Sequence, residues 1–144
     1  MIAIACDHGA YELKEAVKAH LLEAGYQVKD FGTNSLESCD YPDYVAPAAQ
    51  SVAAGECEKG IVLCSTGIGA SIVANKVKGI RCALCSDLLS AEMTRRHNDS
   101  NVLALGAGIV GKNLALAIVD KWLSTAFDGG RHQRRIDKIA ALER

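Results

Sequence analysis

The chain has 144 residues, 49% of them hydrophobic, enough for one domain with a real core and too few for a second of ordinary size, so residues 1–144 are expected to fold as a single domain. With 16 Lys and Arg against 17 Asp and Glu the net charge is -1, which removes any global electrostatic case for nucleic acid or an anionic membrane as partner. No apolar run approaches the ~20 residues of a membrane span, and the chain opens on strand-like Ile2-Ala3-Ile4-Ala5-Cys6 instead of a basic segment followed by a long apolar stretch, so a cytoplasmic protein is expected.

Short β-rich runs alternate with amphipathic stretches. In chain order the pattern predicts strands over 2–6, 27–31, 60–64, 80–85 and 101–105, and helices over 11–24, 44–54, 70–76, 88–97 and 112–126, with a final helical stretch over 136–142. In the first helix Leu13, Val17, Leu21 and Leu22 share a face at 3.6-residue spacing, and Gly25 stands where a C-terminal cap belongs. Gly55 stands likewise after the second helix, and Pro47 reads as a residue of that helix's first turn. Continuous apolar runs such as Gly60-Ile61-Val62-Leu63-Cys64 suit strands covered on both faces. The expectation is an α/β protein, a three-layer α/β/α Rossmann-like sandwich with a five-stranded parallel sheet and a C-terminal helix. Such sheets bind ligands beyond the carboxyl ends of their strands, where strand order reverses. That rule selects Asp7-His8-Gly9, the loop from Cys64 to Gly69, and the loop from Gly106 to Gly111.

Six cysteines are present, at 6, 39, 57, 64, 82 and 85, and several lie in apolar runs, where a free thiol behaves as a small hydrophobe. Cys82 and Cys85 form a C-x-x-C, but on a strand positions three apart face opposite ways, so neither a zinc nor a redox pair is expected.

Cys64-Ser65-Thr66-Gly67-Ile68-Gly69 joins a buried strand to a helix. A glycine-rich turn at a helix N-terminus presents several N–H groups, which suits an anion or oxyanion, and the same dipole end favours the thiolate of a nearby thiol. The plainer alternative is a buried Cys before an ordinary tight turn. Near the C-terminus, Gly129-Gly130-Arg131-His132-Gln133-Arg134-Arg135 collects cations. Arg131 and Arg135 are four apart and share a face if helical, where they can grip a phosphate; a solvated basic terminus is the alternative. His8 beside Asp7 offers one more donor. Arg95-Arg96-His97-Asn98-Asp99 closes the fourth helix and is expected to put His97 and an amide on a loop, where His97 either meets the helix dipole or supplies a general acid or base. Gly106-Ala107-Gly108-Ile109-Val110-Gly111 matches G-x-G-x-x-G, yet no strand follows its helix to carry the acidic residue that would bind a ribose, so no dinucleotide is expected. No set of His, Asp and Cys has metal-ligand spacing in sequence, and neither metal nor cofactor is expected.

Taken together, Cys6-Asp7-His8-Gly9, Asp30-Phe31-Gly32-Thr33, Asp40-Tyr41-Pro42, the Cys64 loop, Ala74-Asn75-Lys76, Gly79-Ile80-Arg81, His97-Asn98-Asp99 and Gly129-Gly130-Arg131-His132-Gln133 resemble, in order and spacing, the ribose-5-phosphate isomerase type B family and the related galactose-6-phosphate isomerase subunits. The resemblance implies an aldose-ketose isomerase interconverting ribose 5-phosphate and ribulose 5-phosphate through a cis-enediolate. It implies a homodimer, or a tetramer built from it, with sites shared across the interface. By position, Cys64 resembles the proton-abstracting base, and Ser65, Thr66, Gly67, Ile68 and Gly69 the anion-stabilising loop. His97 resembles the ring-opening residue and Asn98 a substrate ligand, both contributed across the interface. Asp7 and His8 resemble substrate ligands, and Arg131 with Arg135 the phosphate clamp. Relatives with a glutamate base carry it a few residues past the loop; here Ala70-Ser71 stands there. Two departures bear on substrate. Ser65 replaces a common glycine, and Gly108 stands where relatives commonly direct an arginine at the phosphate, which opens room for a six-carbon phosphate; a positive φ at Gly108 would resist restoring the arginine. A galactose- or allose-6-phosphate isomerase and a non-catalytic sugar-phosphate-binding regulatory module are the alternatives.

Overall fold

Among residues 1–143, which the computed structural model describes, the apolar runs form five strands, β1 (Ile2–Cys6), β2 (Val28–Asp30), β3 (Lys59–Cys64), β4 (Cys82–Leu84) and β5 (Val102–Gly106). Six helices alternate with or follow them: α1 (Tyr11–Glu23), α2 (Pro42–Ala53), α3 (Ile68–Asn75), α4 (Leu88–Asn98), α5 (Lys112–Ser124) and α6 (Arg131–Ala140). The sheet order is β2-β1-β3-β5-β4 with every neighbouring pair parallel, as the alternation predicts. The chain builds from β1 to one edge, returns, and builds to the other, so strand order reverses between β1 and β3. A crevice opens beyond the carboxyl ends at such a point. The register pairs Cys6 with Leu63 and Cys64 with Gly106, so three strands end nearly level there.

Alternation of side chains across the strands divides the core in two. Ile2, Ile4, Ile61, Leu63, Leu103 and Leu105 pack with Val17 and Leu21 of α1, Ala91 of α4, and Ile118 and Trp122 of α5. Each of the Val, Leu and Ile side chains contributes roughly 1.5–3 kcal/mol by leaving water. On the opposite face Ala3, Ala5, Val62, Cys64 and Ala104 meet Val45, Ala48 and Ala49 of α2 and Ala70 and Ala74 of α3. This second layer is made largely of small side chains, which lets α3 pack closely on the strand that carries Cys64. Cys82 lies with this layer and Cys85 with the other, on opposite faces as expected. All six cysteines are free. Among the described residues no helix is long and apolar enough to cross a membrane.

Gly25 (φ +94°) and Gly55 (φ +79°) end α1 and α2. In each case the glycine N–H and the next N–H return to the last helical turn, Gly25 to Leu22 and Tyr26 to Leu21, Gly55 to Val52 and Glu56 to Ser51. Most element boundaries differ from the sequence expectation by a residue or two, and four of the differences have a plain local cause. Helix α2 starts at Pro42, whose fixed φ suits the first helical position; Pro47 therefore lies beyond the first turn, inside the helix, and forfeits one backbone bond. Strand β4 is shortened because the Arg81 N–H is taken by Asn101 Oδ1 at 2.8 Å, so pairing begins at Cys82. Helix α5 ends at Ser124, where Thr125 turns extended. Helix α6 begins five residues early, at Arg131, because Gly129 (φ +70°) and Gly130 (φ +56°) turn the chain directly into it. Its basic start shows no apolar periodicity before Ile136, its buried residue.

One buried charge anchors the segment that follows β2. Lys14 is fully buried, and its Nζ donates to Asp30 Oδ1 and Oδ2 at 3.0 and 2.9 Å, Thr33 O at 2.7 Å and Asn34 Oδ1 at 3.1 Å. Burial alone would raise the Asp30 carboxyl, but hydrogen bonds from Lys14, the Gly32 N–H and Lys18 outweigh it and hold Asp30 below its usual range. This contribution to stability is complete above the ordinary carboxylate pKa and is lost as pH falls through the lowered one. Lys14→Met leaves Asp30 without its main partner and is expected to cost about 3–5 kcal/mol in urea denaturation at neutral pH. A loss under about 1 kcal/mol would show that the network is not a stabilising anchor.

Candidate active site

Three loops meet at the carboxyl ends of β1, β3 and β5, and glycines let them interlock. Asp7, nearly buried, caps the short 3-10 turn His8–Ala10 by accepting the Gly9 N–H at 3.0 Å. A Cβ on Gly9 would collide with Ser65 Oγ, and one on Gly106 with the Thr66 carbonyl oxygen. The Ala107 N–H donates to Cys64 O at 3.0 Å and the Gly108 N–H to Ser65 O at 2.7 Å. The G-x-G-x-x-G run thus supports the loop after β3, and among the described residues no strand succeeds α5 to complete a dinucleotide site. Gly108 is outside the left-handed region, contrary to the sequence expectation; a Cβ there would instead lie 3.0 Å from the Ser65 carbonyl oxygen.

Cys64 ends β3 with 5% of its surface exposed, and its Sγ accepts the Gly67 N–H at 3.2 Å. Gly67 (φ +76°) is the N-cap of α3, so the sulfur sits at the positive end of the helix dipole. The Ile68 N–H bonds Thr66 Oγ1 at 3.3 Å, while helix geometry leaves the next N–H groups, of Gly69 and Ala70, without intrahelical acceptors. Tyr41, whose side chain was not singled out in the sequence, lies against Gly69: a Cβ there would be 2.5 Å from Tyr41 Cζ. Burial pushes the thiols of Cys6 and Cys82 up to about 12 and that of Cys85 to about 11, so these stay protonated at neutral pH.

His8 Nδ1 accepts the Cys39 N–H at 3.2 Å. That bond uses the Nδ1 lone pair, so the neutral ring keeps its proton on Nε2 as a donor. His8 and Lys112 help line a cleft of about 540 Å³ bounded by Gly9, Leu36 and Ala107.

The remaining sequence-derived residues lie elsewhere in the chain. His97 is in the last turn of α4 and Asn98 is its final residue, so both are still helical and not on a loop; Asp99 (φ +45°) closes the helix. Because α4 returns antiparallel to the strands, its end lies beyond their amino ends, next to Arg81, whose Nε donates to Asn98 O at 2.8 Å. Arg131 and Arg135, both exposed, lie one turn apart at the start of α6, and neither forms an ion pair among the described residues. A hollow of about 800 Å³ near this end is lined by Arg81, Asn98 and Leu142. One chain thus gathers Asp7, His8 and the Cys64 loop at one end of the sheet and His97, Asn98 and Arg131 at the other.

The fold also gathers a group that sequence spacing does not announce. His97, Asp128 and His132 present ligand atoms all within 4.8 Å of one another, and the two imidazoles stack at 4.4 Å with planes 14° apart. Near-parallel rings aim their in-plane lone pairs side by side and not at a common point, so the arrangement is an imidazole pair before it is a chelate.

A model of the family described as Ribose/Galactose Isomerase matches residues 2–139. The chain is 51% identical over 142 residues to Ribose-5-phosphate isomerase B of Escherichia coli strain K12, covering 99% of this chain and 95% of the relative. It superposes on the structure of Clostridium thermocellum Ribose-5-Phosphate Isomerase B with a TM-score of 0.98 at 53% identity, covering 99% and 96% of the two chains. On Ribose-5-phosphate Isomerase B from Mycoplasma genitalium, solved with bound ribulose-5-phosphate, the TM-score is 0.95 at 40% identity, with 99% and 95% covered. Fold and matches together define an isomerase built on a parallel α/β sheet. The chain belongs to the Ribose/Galactose Isomerase family.

Proposed function

We propose that this chain interconverts D-ribose 5-phosphate and D-ribulose 5-phosphate, with Cys64 as the base and without metal or cofactor. The observation that carries the assignment of the base is Cys64 Sγ, which accepts the Gly67 N–H at 3.2 Å where β3 passes into α3. His97 opens the furanose by taking the proton of the C1 hydroxyl and returning a proton to the ring oxygen as the bond between C1 and that oxygen breaks. The Cys64 thiolate then removes the C2 proton, and the C–H electrons form the C1–C2 double bond as charge moves onto O1. N–H groups of residues 65–70 meet that charge, so the stabilisation falls on the transition state. Return of the proton to C1, with the O2 proton passing to O1 as the C2 carbonyl forms, completes the ketose. Asp7 and His8 hold the sugar, and Arg131 with Arg135 holds the phosphate. A thiol base needs reduced cysteine, which suits a cytoplasmic setting.

Because one chain holds its two groups of residues at opposite ends of the sheet, a complete site is formed by two. Support for this reading comes from the β4 edge, where Ile68 and Ile72 of α3, Leu84 of β4, and Leu88 and Leu89 of α4 are 42–64% exposed. Exposed apolar residues so grouped favour a protein partner. Two copies related by a twofold axis perpendicular to the strands at this edge run antiparallel, which sets the Cys64 end of one beside the His97 end of the other.

The test is turnover of ribose 5-phosphate by purified protein with a chelator present. Undiminished conversion is expected; loss on chelation with recovery on adding a divalent ion would overturn the mechanism. A six-carbon phosphate is a second reading, favoured by Gly108 beside the cleft at His8. Gly108→Arg adds one charged hydrogen bond to phosphate, worth about 1.5–3 kcal/mol, and fills that space. Since φ permits the substitution, the obstacle is the 3.0 Å approach to the Ser65 carbonyl, which a melting curve monitors. In a folded variant kcat/KM for ribose 5-phosphate is expected to rise relative to allose or galactose 6-phosphate; an unchanged ratio removes residue 108 as a determinant of sugar length.

A further inference from the structure

The segment between α5 and α6 crosses the end of α4 and is tied to it. Asp128 donates its N–H to Arg96 O at 3.0 Å, and its carboxylate takes Arg96 Nε at 3.2 and 3.3 Å. Gly129 and Gly130, both at positive φ, then turn the chain into α6. The His132 N–H donates to Gly129 O at 3.1 Å, and Ile136, 5% exposed, seats the helix one turn later. These contacts deliver the His132 ring flat against His97, with centroids 4.4 Å apart and planes at 14°. We infer that His132 is a positioning residue for His97: the stack fixes the plane of the His97 imidazole and so the direction in which it exchanges a proton with the sugar ring.

An imidazole at a helix end has free rotation about two side-chain bonds, and ring opening needs one orientation, with a ring nitrogen in line with the hydroxyl or ring oxygen. His97 has no hydrogen-bond partner of its own among the described residues that would impose this, since the contacts of its turn go to Arg95, Arg96 and Asn98. The flat face of His132 supplies the constraint. The charged groups around the pair are Arg96 and His97 on α4, Asp128 on the crossing segment, and Arg131 and Arg135 on α6. Desolvation, then His97, Arg131 and Arg135, push His132 below the ordinary histidine range, against the pull of Asp128. His132 therefore meets His97 as a neutral ring at pH 7, and the stack carries no repulsion between two imidazolium ions.

The inference rests on the ring-opening role proposed for His97, and a substrate that cannot cyclise separates the two. 4-Deoxyribose 5-phosphate lacks the hydroxyl that closes the furanose and presents the open aldehyde directly. His132→Ala is expected to lower kcat/KM for ribose 5-phosphate by about tenfold or more, which is ~1.4 kcal/mol of barrier, while leaving the 4-deoxy sugar within about threefold of the parent protein. His132→Phe keeps a flat ring against His97 and is expected to recover most of the loss. Equal losses on both sugars would mean that His132 acts on the phosphate or on folding, and would overturn the inference; so would an unchanged ribose 5-phosphate rate in His132→Ala. If His97→Ala itself loses equally on both sugars, the ring-opening role fails first, and that result is distinguishable because it needs no His132 variant.

Discussion

Cys64→Ala is expected to lower turnover of ribose 5-phosphate by roughly 10²–10⁴-fold, the range in which a positioned acid or base contributes, without unfolding the protein. The fold should survive because the change removes one sulfur from a layer already built of small side chains, Ala3, Ala5, Ala70, Ala74 and Ala104. The Gly67 N–H loses its sulfur acceptor, but Gly67 stays fixed by its left-handed φ and by its closeness to the Leu105 carbonyl carbon, 2.7 Å from where a Cβ would lie. Cys64→Ser is expected to be nearly as inactive, since a serine hydroxyl is a far weaker acid than a thiol. Cys6, Cys82 and Cys85 cannot substitute, because desolvation holds them protonated. A folded Cys64→Ala protein with more than about a tenth of parent turnover, a barrier difference under ~1.4 kcal/mol, would remove Cys64 as the base.

Mixing two inactive variants is expected to restore activity. His97→Ala and Cys64→Ala chains, refolded together, form mixed dimers in which one of the two shared sites has an intact Cys64 from one chain and an intact His97 from the other. The other site lacks both. Random pairing makes about half of the dimers mixed, each with one working site of two, so about a quarter of parent activity should return. The physical basis is the distance the fold puts between the ends of its own sheet: Cys64 closes β3 at the carboxyl ends, whereas His97 ends α4 beyond the amino ends. Mixed dimers proven by mass yet inactive would contradict sharing.

The features legible in the sequence are those set by periodicity and local chemistry. The parallel order, the two-faced burial of 60–64 and the glycine caps at 25 and 55 each depend on a few adjacent residues, and all appear in the fold. The Cys64 loop was legible for the same reason, since a strand end, glycines and a helix start adjoin in sequence. Features that depend on distant segments were not. The start of α6 was hidden because its first turn is solvated and carries no apolar residue before Ile136. The stack of His97 on His132 needs the crossing segment at Asp128 to be placed, and no spacing encodes that. The positive φ expected at Gly108 is absent, and what its missing side chain permits instead is the close approach of the β5 loop to the Ser65 carbonyl. The separation of Cys64 from His97 depends only on the direction in which α4 runs, which is a property of the sheet and not of either motif.

Proton transfer through an enediolate is the step on which the proposed chemistry rests, and the reaction run in D₂O and followed by NMR probes that step itself. With ribose 5-phosphate as substrate, the expected product is ribulose 5-phosphate carrying deuterium at C1, because the proton taken by Cys64 exchanges with solvent before it is returned. Ribulose 5-phosphate formed with protium fully retained at C1, or no conversion of ribose 5-phosphate by the folded protein, would contradict it.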